Sequence, residues 1–177
     1  RIEANGAQAI PFFFELSPFA AKYGQLIQDQ DQTIVDIIIN FRMIHWAKKR
    51  KTEFEQFGVP VMQALTYFDG GQQVWENDIQ GISPGMTPFV LVLPETSGVI
   101  NPLTLSAVKG GMSRRGEGNE EPTEIEVIDY QVDHMVSRTL AMISLKYKAN
   151  SDKKIAVMVW GGEDMGASFL NVPDSLH

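Results

Sequence analysis

The feature of this chain that most constrains its fold is residues 34–41, a nearly continuous apolar run that is rich in β-branched side chains. Such a run is typical of a strand whose two faces are both covered, as happens in a parallel sheet. Residues 9–14 and 59–67 are two further apolar runs of strand length. Together the three runs predict three strands of one buried sheet.

Helix-compatible stretches separate these predicted strands. Residues 19–28 follow Ser17-Pro18, a serine N-cap with proline in the first turn. The charged residues 48–56 end just before Gly58, which favours the left-handed turn that closes a helix. The order strand, helix, strand, helix, strand predicts an α/β fold with a mainly parallel, doubly wound sheet and flanking helices.

The central part of the chain is less regular. Residues 72–79 are compatible with a short helix. The apolar residues 86–93 end at Pro94, and residues 100–108 resume an apolar pattern, which fits either two strands or a helix followed by a strand. We assign residues 1–108 as a whole to a Rossmann-like α/β domain.

The last third of the chain begins with a break in the pattern. Residues 109–122 are rich in glycine and charge, without apolar periodicity, and predict a flexible loop. Thr123 and Glu126 have the spacing of a capping box, and apolar residues then recur at helical intervals. A strand is predicted at residues 154–160. We therefore expect residues 123–177 to form a long helix and a strand that lead into the next domain.

Composition excludes several classes of function. With 15 basic and 22 acidic residues, the formal net charge of −7 disfavours binding to nucleic acid or anionic lipid. The absence of Cys excludes thiolate metal sites and cysteine nucleophiles from these 177 residues. The apolar run at residues 9–14 is too short to span a bilayer, so we expect no membrane span. Because the chain opens with Arg1 rather than Met and reaches a strand-like pattern a few residues later, we expect a piece of a longer protein.

Several short motifs occur in the order and spacing of one protein family. They are Gly58-Val59-Pro60-Val61, Trp75 shortly before Gly81-Ile82, Leu93-Pro94-Glu95 with Gly98 and Pro102, Lys153-Lys154-Ile155-Ala156-Val157, and residues 166–176, Gly-Ala-Ser-Phe-Leu-Asn-Val-Pro-Asp-Ser-Leu. Over residues 35–176 the chain resembles the large subunits of metal chelatases, namely CobN-type cobaltochelatase subunits and the porphyrin-binding subunit of magnesium chelatase. The resemblance implies that the chain is a central fragment of such a larger multidomain subunit.

The resemblance implies a function in tetrapyrrole chemistry. It implies a segment of the large subunit of an ATP-dependent metal chelatase, which inserts cobalt or magnesium into a corrin or porphyrin ring in the cytoplasm. The tetrapyrrole and the divalent metal are then substrates. The resemblance also implies that ATP is used by separate ATPase chelatase subunits, which are the expected partners, and not by this segment.

Two alternatives stay open. Thr96-Ser97 precede Gly98, where family members usually carry an acidic residue, so the metal and the ring are not fixed by this motif. One alternative is a haem dechelatase-type homologue, which would remove iron from haem in the periplasm or at a membrane. The other is a tetrapyrrole-binding module that has no chemistry of its own.

Glu95 is the candidate catalytic residue. Metal insertion requires a base that accepts the pyrrole N–H protons, and a carboxylate can also bind the metal. Glu95 lies between Pro94 and Gly98, where a fixed turn could hold it at the rim of a cleft, and the family match falls on it. We therefore assign Glu95 both the catalytic and a metal-binding role. The alternative is an exposed glutamate of a turn.

His45 and Trp46 follow the second predicted strand, at the carboxyl edge where open α/β sheets bind ligands. The imidazole of His45 is a candidate metal ligand, although a lone histidine of this kind is more often a surface residue. The indole is a candidate stacking surface, and Arg42 is assigned with both residues to tetrapyrrole binding. Residues 48–51, Lys-Lys-Arg-Lys, could pair with ring carboxylates or form the solvated start of a helix.

Titration with Mg-ATP tests the expected division of labour. A phosphate-binding loop ends in Gly-Lys-Ser or Gly-Lys-Thr, and no such run occurs in the sequence. We therefore expect calorimetric titration of this chain with Mg-ATP to give no binding heat. Micromolar affinity would contradict both this expectation and the assignment of ATP to separate subunits.

Overall fold

The computed structural model describes residues 1–13, 24–111 and 124–156. Its elements, in chain order, are a 3-10 turn at Glu3–Asn5, α1 at Gly24–Ile27, β1 at Gln28–Asp29, β2 at Gln32–Thr33, β3 at Ile38–Asn40, α2 at Ala47–Phe57, β4 at Val61–Tyr67, α3 at Gln72–Asn77, a π-helical turn at Pro88–Val92, α4 at Leu93–Thr96, β5 at Val99–Val108, β6 at Ile125–Val127, α5 at Asp129–Tyr147 and a 3-10 turn at Asn150–Asp152. Internal contacts divide the chain into two units, Arg1–Ser144 and Leu145–His177.

Four strands of the first unit form one sheet in the order β3-β4-β5-β6. β3, β4 and β5 are parallel, with Val61 opposite both Ile38 and Val99, while β6 is antiparallel to β5. β4 has a strand on each side and is buried along nearly its whole length. The prediction of an α/β fold with a mainly parallel sheet is confirmed.

Helices cover both faces of this sheet. On one face α2 packs on the first residues of the parallel strands, in a buried cluster of Ile27, Ile38, Ile44, Phe54, Phe57, Val61 and Val99. On the other face α5 packs through Met135 against Met62 and Leu105. The adjacent residues Val61 and Met62 serve opposite faces because strand side chains alternate. Each such fully buried side chain contributes about 1.5–3 kcal/mol, so the two clusters hold both helices to the sheet.

Of the predicted strands, the one at residues 9–14 is not formed in its described part, and the one at residues 34–41 is shorter than predicted. Residues 9–13 form no strand and Phe13 is exposed, while residue 14 lies outside the described part of the chain. An apolar run becomes a strand only where a partner satisfies its backbone groups, and among the described residues no strand pairs with this one. The strand predicted at residues 34–41 is reduced to β3. Ile34 instead extends the β1–β2 hairpin through the bond from its N–H to the Ile27 carbonyl, and residues 35–37 and 41 lie outside the strand.

The helices and strand predicted at residues 48–56, 59–67 and 72–79 are confirmed as α2, β4 and α3. Residues 86–108 are a helix followed by a strand rather than two strands. Pro94 cannot donate a backbone hydrogen bond, and the Leu93 N–H bonds to the Pro88 carbonyl five residues back, which gives the π-helical turn. Of the helix predicted at residues 19–28, residues 24–27 are helical in α1, residue 28 belongs to β1, and residues 19–23 lie outside the described part of the chain.

The predicted long helix is confirmed as α5, but its predicted start is wrong. Thr123 lies outside the described residues, and Glu126 belongs to β6, where its carboxylate accepts the backbone N–H of Gln72 at 2.8 Å. The helix begins at Asp129, after the fully buried Ile128. Pairing with β5 has therefore overridden the local capping pattern.

Parts of the sequence predictions fall outside the described residues. These parts are residues 112–122 of the glycine-rich loop, residues 157–160 of the last predicted strand and the motif at residues 166–176. In the second unit, residues 154–156 follow the 3-10 turn without forming a strand. The domain division at residues 108 and 122 stays a prediction. In the portions that the structure describes, no helix combines the length and apolar character needed to cross a membrane.

Candidate functional site

A buried amide pair fixes the chain where it leaves β3. The side chains of Asn40 and Gln63 are buried and opposite each other on neighbouring strands. Asn40 Nδ2 donates to Gln63 Oε1 at 2.8 Å and to the carbonyl of Arg42 at 2.6 Å. Gln63 Nε2 donates to the same carbonyl at 3.3 Å. The two amides together therefore hold the backbone of Arg42 in place.

Ile44 anchors the rest of this loop. Its side chain is buried in the same cluster as Val61 and Val99, the first residues of β4 and β5. The loop that follows β3 therefore turns back toward the amino ends of the parallel strands. The predicted location of His45 at the carboxyl edge of the sheet is wrong, because the residue beside it packs into the core at the opposite end.

Trp46 is displayed on a constrained turn. It is 57% exposed, and its φ of 62° and ψ of 50° lie in the left-handed region, which is costly for a bulky residue. Its carbonyl accepts the N–H of Arg50 at 3.0 Å as α2 begins. The buried Ile44 on one side and α2 on the other thus fix the backbone that presents the indole. His45, which precedes it, is also exposed.

The basic run at residues 48–51 divides between the surface and the core. Lys48, Lys49 and Lys51 are exposed, whereas Arg50 is buried and forms an ion pair with Glu53. The first turn of α2 contains no acidic residue. Its backbone N–H groups and the first two lysines therefore create positive potential beside Trp46, where an anion is favoured.

Glu95 lies on a turn that hydrogen bonds fix. It is exposed in α4, while Pro94 before it and Ser97 two positions after it are buried. The Ser97 N–H donates to the carbonyls of Leu93 and Pro94, and the Gly98 N–H donates to the Glu95 carbonyl at 2.9 Å. Gly98 then ends the helix with a φ of +83°. The carboxylate is therefore displayed immediately before β5, at the amino end of the sheet.

The fold brings the two candidate segments together. The Oγ of Ser97 donates to the carbonyl oxygen of Ala47, the first residue of α2, at 3.3 Å. The two helices α2 and α4 also pack against each other. Trp46 and Glu95, which are far apart in the sequence, therefore lie in adjoining segments. Arg42 is half-buried earlier in the same loop as Trp46.

A polar pair at the other end of the sheet was not predicted from the sequence; its tyrosine is buried and its aspartate is partly exposed. Tyr67, the last residue of β4, donates its hydroxyl hydrogen to Asp78 Oδ2 at 2.8 Å. Burial, followed by this hydrogen bond, raises the pKa of Tyr67 to about 12. The same bond is the main cause that lowers the pKa of Asp78. A tyrosine and an aspartate eleven positions apart form no recognisable motif, so no sequence signal marks the pair.

Two cavities also lie at this end, and neither is lined by a predicted site residue. One, beneath the π-helical turn, has a volume of about 20 Å³, enough for one water molecule. The other is an open depression of about 500 Å³ beside α3. Within the described ranges, no group of three or more His, Asp and Glu side chains is arranged to hold a metal ion. The metal-binding roles of Glu95 and His45 therefore stay predictions.

Comparisons with known proteins point to one family. A family model described as CobN/Magnesium Chelatase matches residues 1–177, the whole chain. The chain is 22% identical over 191 residues to the chloroplastic magnesium-chelatase subunit ChlH of Oryza sativa, with 99% of this chain and 13% of that protein covered. An uncharacterized protein of Methanocaldococcus jannaschii is 30% identical over 101 residues, which cover 57% of this chain and 8% of that protein. The chain thus spans only a small part of these relatives. No solved structure matches it.

Replacing Tyr67 by Phe tests the polar pair. Because the pKa of Tyr67 is raised from 10 to about 12, its contribution to stability is complete below pH 10 and is lost as the pH rises through 12. Because the pKa of Asp78 is lowered from 3.8, its contribution is present above that value and is lost as the pH falls further. Urea unfolding of Tyr67→Phe should therefore depend less on pH in both ranges than that of the wild type.

Tyr147→Phe is the matched control, because Tyr147 is an exposed tyrosine near the end of α5. Its unfolding should follow the wild type at every pH. Ionisation of Tyr67 near pH 10 in a spectrophotometric titration would contradict the assigned hydrogen bond.

Proposed function

Because the chain belongs to the CobN/Magnesium Chelatase family, we propose that it is a segment of the large, tetrapyrrole-binding subunit of an ATP-dependent metal chelatase. The reaction is the insertion of cobalt or magnesium into a corrin or porphyrin ring. The similarity to magnesium-chelatase subunit ChlH supports the chelatase assignment. Since that protein is much longer than this chain, the activity is that of a larger subunit in which this segment forms one wall of the ring site.

The observation that carries the proposal is the exposed Trp46 in its left-handed turn. Strained backbone of this kind is found preferentially at ligand-binding and catalytic sites, where the surrounding structure holds it. The flat face of an indole suits the flat, conjugated face of a tetrapyrrole, and stacking buries apolar area on both. The anchored Ile44 and the start of α2 fix this surface before the ring arrives, which lowers the cost of binding.

Tetrapyrroles carry carboxylates around the ring, and the start of α2 is suited to bind them. Lys48 and Lys49 are exposed and lie within three residues of Trp46. The N–H groups of the first turn of α2 add partial positive charge to the full charges of the two lysines. A ring stacked on Trp46 would therefore meet cationic groups at its rim. Arg42 and His45 precede Trp46 in the same loop and are candidates for further contacts with the ring or the metal.

Glu95 is the candidate proton acceptor. A divalent metal enters the ring as two pyrrole N–H protons leave, so a carboxylate near the ring centre accelerates insertion by accepting a proton. Glu95 is exposed on the fixed turn of α4, in the segment that adjoins the start of α2. ATP hydrolysis falls to separate ATPase chelatase subunits, which dock on the large subunit and change its conformation.

Replacing Trp46 by Ala tests the ring surface. In absorbance titrations of the full-length large subunit with metal-free protoporphyrin, we expect Trp46→Ala to raise the dissociation constant about tenfold, from the loss of stacked aromatic area. Phe41→Ala is the matched control, because Phe41 is an aromatic residue of the same loop and is 70% exposed. An equal loss of affinity in both variants would contradict a specific role for Trp46.

Replacing Glu95 by Gln tests the proton acceptor, because the amide keeps the shape and removes the charge. With the complete enzyme and ATP, we expect metal insertion to slow by about a hundredfold or more, as for the loss of a general base, while ring affinity stays unchanged. Glu55→Gln on the exposed side of α2 should insert metal at the wild-type rate. Wild-type turnover of Glu95→Gln would remove Glu95 from the mechanism. Iron release from haem without ATP would identify a dechelatase instead.

A further inference from the structure

The hydroxyl group of Ser97 lies where the two candidate segments meet. Its side chain is buried, with only 1% of the residue exposed. The Oγ is 2.8 Å from the carbonyl oxygen of Leu93 in its own helix and 3.3 Å from that of Ala47 in α2. A hydroxyl has one hydrogen to donate, so the shorter contact with Leu93 is the stronger bond and the contact with Ala47 is the longer, weaker one. The contact with Ala47 is a polar link between the turn of Glu95 and the residue that follows Trp46.

The neighbouring Thr96 shows what this link adds. Thr96 Oγ1 donates to the carbonyl of Val92 at 2.7 Å, which is the same bond to the residue four positions back that Ser97 makes with Leu93. Thr96 is exposed, however, and its bond to the Val92 carbonyl stays within its own segment. Ser97 differs because it also reaches α2. Comparing Thr96 with Ser97 therefore distinguishes the effect of a hydrogen bond within one segment from the effect of a hydrogen bond between two segments.

We propose that Ser97 is a positioning residue, which fixes the Trp46 segment at a set distance from the Glu95 turn. The inference rests on the proposed function, in which Trp46 contacts the ring and Glu95 accepts its protons. Trp46 is bonded to the next residue, Ala47, whose carbonyl Ser97 holds. A ring stacked on the indole then meets a carboxylate at a defined place. Without the hydroxyl, the start of α2 shifts against α4, and the indole loses its preset position.

A double-mutant cycle tests this inference, because two residues that act through each other give non-additive effects. The measurement is the dissociation constant of metal-free protoporphyrin for the full-length large subunit. Ser97→Ala should raise it about three- to tenfold, the range expected for one lost hydrogen bond. In the Trp46→Ala background, the same substitution should change it less than about twofold. Thr96→Ala should leave it unchanged in both backgrounds.

Ser97→Cys is a second variant for the same measurement, which can be used if Ser97→Ala does not fold. A thiol fills similar space and is only a weak hydrogen-bond donor. It should raise the dissociation constant in the same way as Ser97→Ala. An equal rise in both backgrounds would overturn the inference, since the effect would not pass through Trp46. An unchanged constant in Ser97→Ala would also overturn it. Wild-type affinity in Trp46→Ala alone would instead show that the proposed ring surface itself is wrong.

Discussion

The candidate site depends on the hydrogen bond between the buried side chains of Asn40 and Gln63. Burying two amides beside apolar side chains costs free energy unless their donors and acceptors are satisfied. Here the amides bond to each other and share the carbonyl of Arg42, which turns the chain away from the line of β3. Because the two amides lie on different strands, this turn requires that β3 and β4 have paired.

The turn decides at which end of the sheet the candidate residues lie. Ligands of open α/β sheets usually bind beyond the carboxyl ends of the strands. In this protein Ile44 enters the core beside the first residues of β4 and β5, and α2 then starts next to α4. At the carboxyl end, the Tyr67–Asp78 pair borders an open depression of about 500 Å³, and Tyr67 also lines a cavity with room for about one water molecule. The candidate residues Trp46 and Glu95 are both exposed in the segments that meet near the amino ends of the strands.

Sequence patterns correctly predicted two kinds of element: helices with local start and stop signals, and strands buried in the middle of the sheet. The charged stretch that ends at Gly58 forms α2, and the left-handed φ of +65° at this glycine closes the helix. The apolar run of β4 suits a strand with a neighbour on each side. The predictions that failed depended on partners. Residues 9–13 have no partner strand among the described residues. Glu126 does not cap a helix, because it pairs with β5 as part of β6.

The sequence by itself determined the α/β class, the family resemblance and the residue types available for chemistry. Contiguous motifs such as Leu93-Pro94-Glu95 and the periodicity of apolar residues are local properties, which can be read without the fold. Only the tertiary structure decided that the segments of Trp46 and Glu95 adjoin, through the packing of α2 on α4 and the bond from Ser97 to Ala47. Such a contact leaves no trace in the sequence, because it needs one suitable residue at each of two distant positions and no repeating pattern at either.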